Sequence, residues 1–201
     1  MADVVQVGKP ENYYIHDGYT PRLDALAWDD TPCEDQYQKH VYELARQVGD
    51  AAGYRSVCDL GCGSGFKLIQ FFPDYYTCGI DIDPAYAYCA AKWPEREWIL
   101  SDLEAVPKQP VELLICSDVI EHFVDPNLLL AYIKKINPKQ AVLSTPVLDI
   151  YWPGHNGPPG HVYHVREWHM NEFAAYIGSW FPIVRHDNVR ITQMVVCKVA
   201  A

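Results

Sequence analysis

No stretch of the 201-residue sequence approaches the roughly 18 consecutive apolar residues that a membrane helix needs. The opening residues, Met1 to Val7, lack a basic region leading into an apolar core, so no secretory signal is expected. Basic charge is scarce: 16 Lys and Arg stand against 26 Asp and Glu, for a formal net charge of -10. No Lys/Arg run is longer than Lys134-Lys135. Such a surface repels phosphate backbones and disfavours a large nucleic-acid partner. No two of the seven cysteines form a CxxC pair, and Cys58, Cys78, Cys116 and Cys197 lie inside apolar runs that read as strands. Buried thiols behave as small hydrophobes, which argues for a reducing, cytoplasmic compartment over a disulfide scaffold. Internal repeats, low-complexity stretches and a second domain are also missing.

What is present suits one globular domain, with 49% hydrophobic and 21% charged residues. Residues 1–32 are irregular and rich in Tyr, Asp, Pro and Gly, and read equally as a flexible tail or as a lid over a pocket. From Glu34 onward Tyr37, Val41, Leu44, Ala45 and Val48 recur at helical spacing, and Gly53 offers a stop. Apolar runs at 55–60, 75–80, 97–100, 111–116 and 140–144 then alternate with helical segments at 66–72, 84–93 and 128–136. That alternation predicts βαβ units and a parallel sheet with right-handed crossovers. Residues 146–160 form a long Pro/Gly-rich loop, and 171–180 a last helix. Two closing strands, 183–185 and 191–199, leave no room for a crossover, so an antiparallel pair is expected with its turn near Asp187-Asn188.

The strongest local signal is Asp59-Leu60-Gly61-Cys62-Gly63-Ser64-Gly65, a strand entering a turn with three alternating glycines before a helix. Glycine permits the sharp turn and lets a ligand approach main-chain N–H groups. Compared with the dinucleotide-binding spacing, the third glycine comes one residue early and an acid precedes the turn. Asp59 there would repel a pyrophosphate and suit a ligand with an ammonium group. About 20 residues on, Asp81 closes the second strand, where an acid accepts ribose hydroxyls. Asp102 follows the third strand, placed for an adenine amino group.

These segments together resemble the class I S-adenosylmethionine (SAM)-dependent methyltransferases, from about Tyr37 to the C-terminus. The resemblance implies a Rossmann-like three-layer α/β sandwich. Its mostly parallel seven-stranded sheet would have an antiparallel last strand, in one domain over 33–201. It also implies that SAM is bound and S-adenosylhomocysteine (SAH) released. Asp59, Gly61, Cys62, Gly63 and Gly65 would line the methionine part. Asp81 would hold the ribose, Ile82 would pack on adenine, Asp102 would take its amino group, and Ser117 would be a further cofactor contact.

The segment Cys116 to Pro126 should face the methyl group, since ligands of open parallel sheets bind beyond the strands' carboxyl ends. It is similar to one found in many small-molecule methyltransferases. Ser144-Thr145-Pro146, Gly157-Pro158-Pro159 and His164 to Trp168 are similar to methyltransferases encoded with sugar- and glycan-processing enzymes. The expected reaction is therefore methyl transfer to an O or N of a small molecule or glycan precursor. His122 and His164 are the general-base candidates, with Glu121 orienting one of them. Tyr151, Trp152 and Tyr163 are candidates for an aromatic wall. A second reading makes Asp118, Glu121, His122 and His164 ligands of a divalent metal, by i, i+3, i+4 spacing on one helical turn. Some small-RNA 3′-end and quinone O-methyltransferases have a comparable arrangement, usually with Glu where this chain has Asp118. That reading carries an RNA end as alternative acceptor. A non-catalytic SAM-binding subunit is the third reading. Oligomeric state is not legible.

Overall fold

A computed structural model describes residues 12–200 except Ala27, Asp35 and Trp152, and excepting the side chains of Asp149 and Tyr151. The readings made on Met1 to Val7, on Trp152 and on the Tyr151 ring lie outside the described residues. Seven strands alternate with helices: α1 (Lys39–Ala52), β1 (Ser56–Leu60), α2 (Phe66–Phe71), β2 (Tyr76–Asp81), α3 (Ala85–Lys92), β3 (Glu97–Leu100) and β4 (Leu113–Ser117). They continue with α4 (Pro126–Ile136), β5 (Gln140–Pro146), α5 (Leu148–Tyr151), α6 (Met170–Trp180), β6 (Ile183–Val189) and β7 (Thr192–Lys198). The strand order is β3-β2-β1-β4-β5-β7-β6. Only β7 runs against its neighbours, pairing antiparallel with both β5 and β6. This is the Rossmann-like sheet with its last strand reversed.

Local chemistry accounts for the element ends. Asp125 caps α4 by accepting the Asn127 N–H at 3.0 Å, Pro126 fills its first turn, and Lys134 and Lys135 complement its carboxyl end. Gly53 closes α1 in the left-handed region at φ +70°. α1 begins later than its apolar period suggests. Gln38 is left-handed at φ +59°, so Tyr37 falls outside the helix and is exposed. The loop after β5 holds the short helix α5. The β6–β7 turn lies at Arg190, φ +55°; Asp187 and Asn188, expected as the turn, pair in the ladder with Met194 and Gln193.

Two apolar layers cover the sheet. On one face Val41, Leu44 and Ala45 of α1 and Leu68 of α2 pack on Val57, Leu113, Ile115 and Val142. On the other, Leu129 and Ile133 of α4 and Phe173 and Ile177 of α6 pack on Cys58, Cys78, Cys116 and Cys197. All seven cysteines are unpaired and all but Cys33 are buried. No described helix is long and apolar enough to cross a membrane.

The described residues of 12–34 form no strand and no α-helix, yet they are docked. Ile15 is buried in the α4/α6 layer, Tyr13 and Tyr14 pack on Tyr176, and the Tyr19 hydroxyl accepts the Glu167 N–H at 2.8 Å. The Thr20 N–H donates to the Asn156 carbonyl at 2.6 Å. A Cβ on Gly157, at φ +83°, would collide with the Thr20 backbone, so glycine is what allows this approach. Trp168 is the hub: fully buried, stacked on Tyr176 at 5.9 Å, its Nε1 donating to the Tyr13 carbonyl. Trp168→Ala is expected to cost about 3–5 kcal/mol of stability. A near-neutral change in chemical denaturation would contradict this placement.

Candidate active site

β1 pairs in parallel with β2 on one side and β4 on the other, so the loops after β1 and β4 leave at the point where the strand order reverses. A crevice there is where open α/β sheets bind ligands. Gly61, Gly63 and Gly65 have φ of +77°, +52° and +68°, a region side chains rarely occupy. A Cβ on Gly61 would collide with Val119 of the loop after β4, so the two loops interlock only because that position is bare. A Cβ on Gly63 would run into the Asp30 carboxylate.

The acids around this turn are strained electrostatically. Asp59 is fully buried; its Oδ2 accepts from the Tyr42 hydroxyl at 2.8 Å and its Oδ1 has no partner. Burial raises its pKa to about 7, against the opposing pull of Tyr42 and Lys67. Asp81 accepts the Gly63 and Ile82 N–H groups at 2.6 and 2.7 Å, yet burial raises it to about 6. Ile82 stands half-exposed beside it, and Cys62 is buried within the turn. A small cavity of about 90 Å³ lies here, lined by Trp28, Asp29, Asp30 and Asp81 to Ala85. The structure thus brings Asp59, Gly61, Cys62, Gly63, Gly65, Asp81 and Ile82 to the carboxyl ends of β1 and β2. Asp102 is exposed, and its Oδ1 accepts the Glu104 and Ala105 N–H groups, which hold its carboxyl below the usual range. Ser117 is buried with its hydroxyl bonded to that of Ser144 at 3.1 Å.

Beyond β4 a larger cavity, about 840 Å³, has Asp118, Glu121, His122, His161, His164 and Glu167 among its lining. Glu121, His122 and His164 each offer a ligand atom within 4.8 Å of the others. The segment is a single 3-10 turn, Ile120–His122, preceded by Asp118 at φ +53°. The i, i+3, i+4 helical turn expected from the spacing is therefore absent. Asp118 lies before the turn with its Oδ1 accepting from the Ser144 hydroxyl at 2.6 Å, apart from the converging trio. Glu121 is fully buried; Oε2 accepts from Thr145 at 3.2 Å and Oε1 has no partner. Glu121 makes no bond to either imidazole. Instead His122 Nδ1 donates to the Tyr163 carbonyl at 2.8 Å, and His164 Nδ1 bonds Glu167 Oε1 at 2.7 Å. Glu167 was legible as an acid three residues after His164 but carried no assigned role. The ring of His161 lies 4.1 Å from that of His164, and those of Trp28 and Tyr163 stack at 6.0 Å. His16 is bonded through Nδ1 to Glu172 at 2.5 Å and is not among the residues lining this cavity.

Fold and crevice define a Rossmann-like protein with a glycine-rich turn after its first strand. A methyltransferase-domain family model matches residues 34–186, three quarters of the sequence, and the chain belongs to the class I SAM-dependent methyltransferases. No curated protein matches the sequence. Among solved structures, it is similar to the methyltransferase domain of bacterial CtHen1, with TM-score 0.62 and 20% identity over 80% of this chain and 98% of that one. It is also similar to the magnesium protoporphyrin IX methyltransferase of Synechocystis PCC 6803 with bound SAH, with TM-score 0.64 and 16% identity over 88% and 90%. A SAM-dependent methyltransferase from Aquifex aeolicus gives 0.63 and 14% over 87% and 100%. At these identities the likeness establishes the fold.

The raised carboxyls fix a pH dependence. Folded Asp59 binds its proton up to about pH 7, whereas the unfolded chain releases it near pH 4, so the folded state holds more protons between these limits. Its contribution to stability therefore falls as pH rises through that window. Asp59→Asn is expected to stabilise the ligand-free protein at pH 8 by the order of 2–4 kcal/mol and to change little at pH 4. Equal shifts in thermal unfolding at both pH values would refute this.

Proposed function

We propose that the chain transfers the methyl group of SAM to a hydroxyl oxygen of a small molecule or glycan precursor, with Glu121, His122 and His164 holding a divalent cation at the floor of the larger cavity. The observation that carries this reading is how the trio is presented. A carbonyl can only accept, so the bond to Tyr163 places the proton of His122 on Nδ1 and its lone pair on Nε2. The carboxylate of Glu167 does the same for His164. Metal-binding imidazoles are oriented by such partners. Glu121 adds a buried carboxylate oxygen with no partner, and burial beside Asp118 pushes its pKa well above the usual range. A cation relieves that cost, and mixed N/O ligation suits several divalent metals.

The alternative role, His122 as general base, has less support. Burial and the neighbouring histidines push its pKa down to about 4, far below the value at which a base is effective near neutrality. A neutral ring is the form that ligates a metal. A divalent cation at this floor would supply charge that lowers the pKa of an acceptor hydroxyl and fixes its direction, so that its proton would pass to solvent water as the sulfur–methyl bond breaks and SAH departs. The protein's own part is positional. Tyr163 and Glu167 lock the rings, Thr145 holds Glu121, and the glycine turn with Asp59 and Asp81 holds SAM so that the displacement is in line.

The cavity is within the range of small-molecule sites. Its lining carries Lys39 and Arg190 against Glu43, Asp118, Glu121 and Glu167, which favours a polyhydroxy acceptor over a nucleic-acid end. Calorimetry with SAH should show binding that survives EDTA, while methyl transfer to polyol and sugar acceptors is lost on chelation and restored by Mg²⁺ or Mn²⁺. Turnover indifferent to EDTA would remove the metal; binding with no turnover on any acceptor would leave a SAM-binding subunit. His122→Ala should lower turnover by about a hundredfold or more and leave SAH affinity intact, whereas Asp81→Ala should weaken SAH by about 1.5–3 kcal/mol. Loss of SAH binding in both variants would overturn this division of roles.

A further inference from the structure

The cofactor turn is bordered by a segment outside the sheet. Trp28, Asp29 and Asp30 line the small cavity at Asp81, and Asp30 presses its carboxylate onto Gly63, with Cγ 2.8 Å from where a Cβ would stand. The segment is held there by Lys67 of α2, whose Nζ donates to the Glu34 carbonyl at 2.6 Å. Asp30 and Asp81 repel Asp59 across the turn, Asp30 also repels Asp81, and Lys67 acts against this at Asp30 and Asp59. Burial raises all three carboxyls. Asp59 Oδ1, in a fully buried side chain at the head of the turn, has no partner. The surroundings are therefore short of positive charge.

We infer that Asp30 is a cofactor-binding residue, its carboxylate reading the ammonium group of the methionine end of SAM. The inference rests on the glycine turn being the cofactor site. Gly63 lacks a side chain where a ligand would come closest to the main chain, and the group that comes closest in this structure is a carboxylate from residues 28–34. With the cofactor in the turn, Asp30 seats against its cationic end, exchanging repulsion from Asp59 and Asp81 for a charge-assisted hydrogen bond. The interaction adds to those made by the turn and is confined to the amino-acid part of the ligand.

Two nucleosides separate this contact from the rest of the site: SAH, which carries the ammonium, and 5′-methylthioadenosine, which does not. Calorimetric titration of Asp30→Asn should show SAH weakened by about tenfold or more, with methylthioadenosine unchanged. Asp24→Asn, an exposed acid that lines neither cavity, should alter neither, and ligand-free melting temperatures report on folding. Tighter binding of both ligands would mean that Asp30 merely fills an empty site. Equal weakening of both would mean that the segment has been disturbed, and no change would mean that Asp30 faces no cation. Each of these overturns the inference alone. Wild-type protein that binds neither nucleoside, or Asp81→Ala without effect on methylthioadenosine, would remove the cofactor-site reading itself.

Discussion

Backbone hydrogen bonding pairs β1 in parallel with β2 on one side and β4 on the other, and all five residues of β1 and of β4 are buried. The crossovers that follow these strands leave in opposite directions, so no chain bridges the gap between their carboxyl ends. The glycine turn occupies one side of that gap and the loop through Val119 the other. Because Gly61 has no side chain, they pack directly, and the loop carries Glu121 and His122 to a fixed position beside the turn. The glycine turn and the Glu121–His122 segment are thus set against each other by the sheet pairing.

The same crevice is where the molecule holds charge poorly. Asp59 and Glu121 are fully buried, each with an unpartnered oxygen, and neither has a bonded cation. Desolvating a carboxylate without a counter-charge opposes folding. Glu167, also buried, leaves Oε2 without a partner, whereas both oxygens of Glu172 are satisfied, accepting the His16 and His169 N–H groups at 2.6 and 2.9 Å. The uncompensated cost is concentrated at the glycine turn and at the floor of the larger cavity.

Strand and helix positions were legible because burial leaves a period, and the sheet follows from their alternation. The cofactor turn was legible because its glycines and acids are close in sequence. What escaped were features made by distant residues. The Asp187-Asn188 pair looked like a turn, but cross-strand pairing with Met194 and Gln193 carried β6 further. Asp118 read as a ligand through helical spacing, but its left-handed backbone places it off the turn. The orienting role went to Glu167 and the Tyr163 carbonyl rather than to Glu121, and no local pattern announces a carbonyl. Asp30 touches Gly63 through a segment with no period at all.

The docking of residues 13–22 onto 156–168 carries a consequence for how the molecule is assembled. Tyr13 and Trp168 are 155 positions apart, Tyr19 and Glu167 148. Contacts so distant in sequence must close nearly the whole chain into a loop before they return any energy, which slows folding. Residues 13–22 leave the ribosome long before their partners exist. The docking of this segment is therefore completed only after β5 and the loop behind it are in place, so a nascent chain can hold much of the sheet before residues 13–22 are seated.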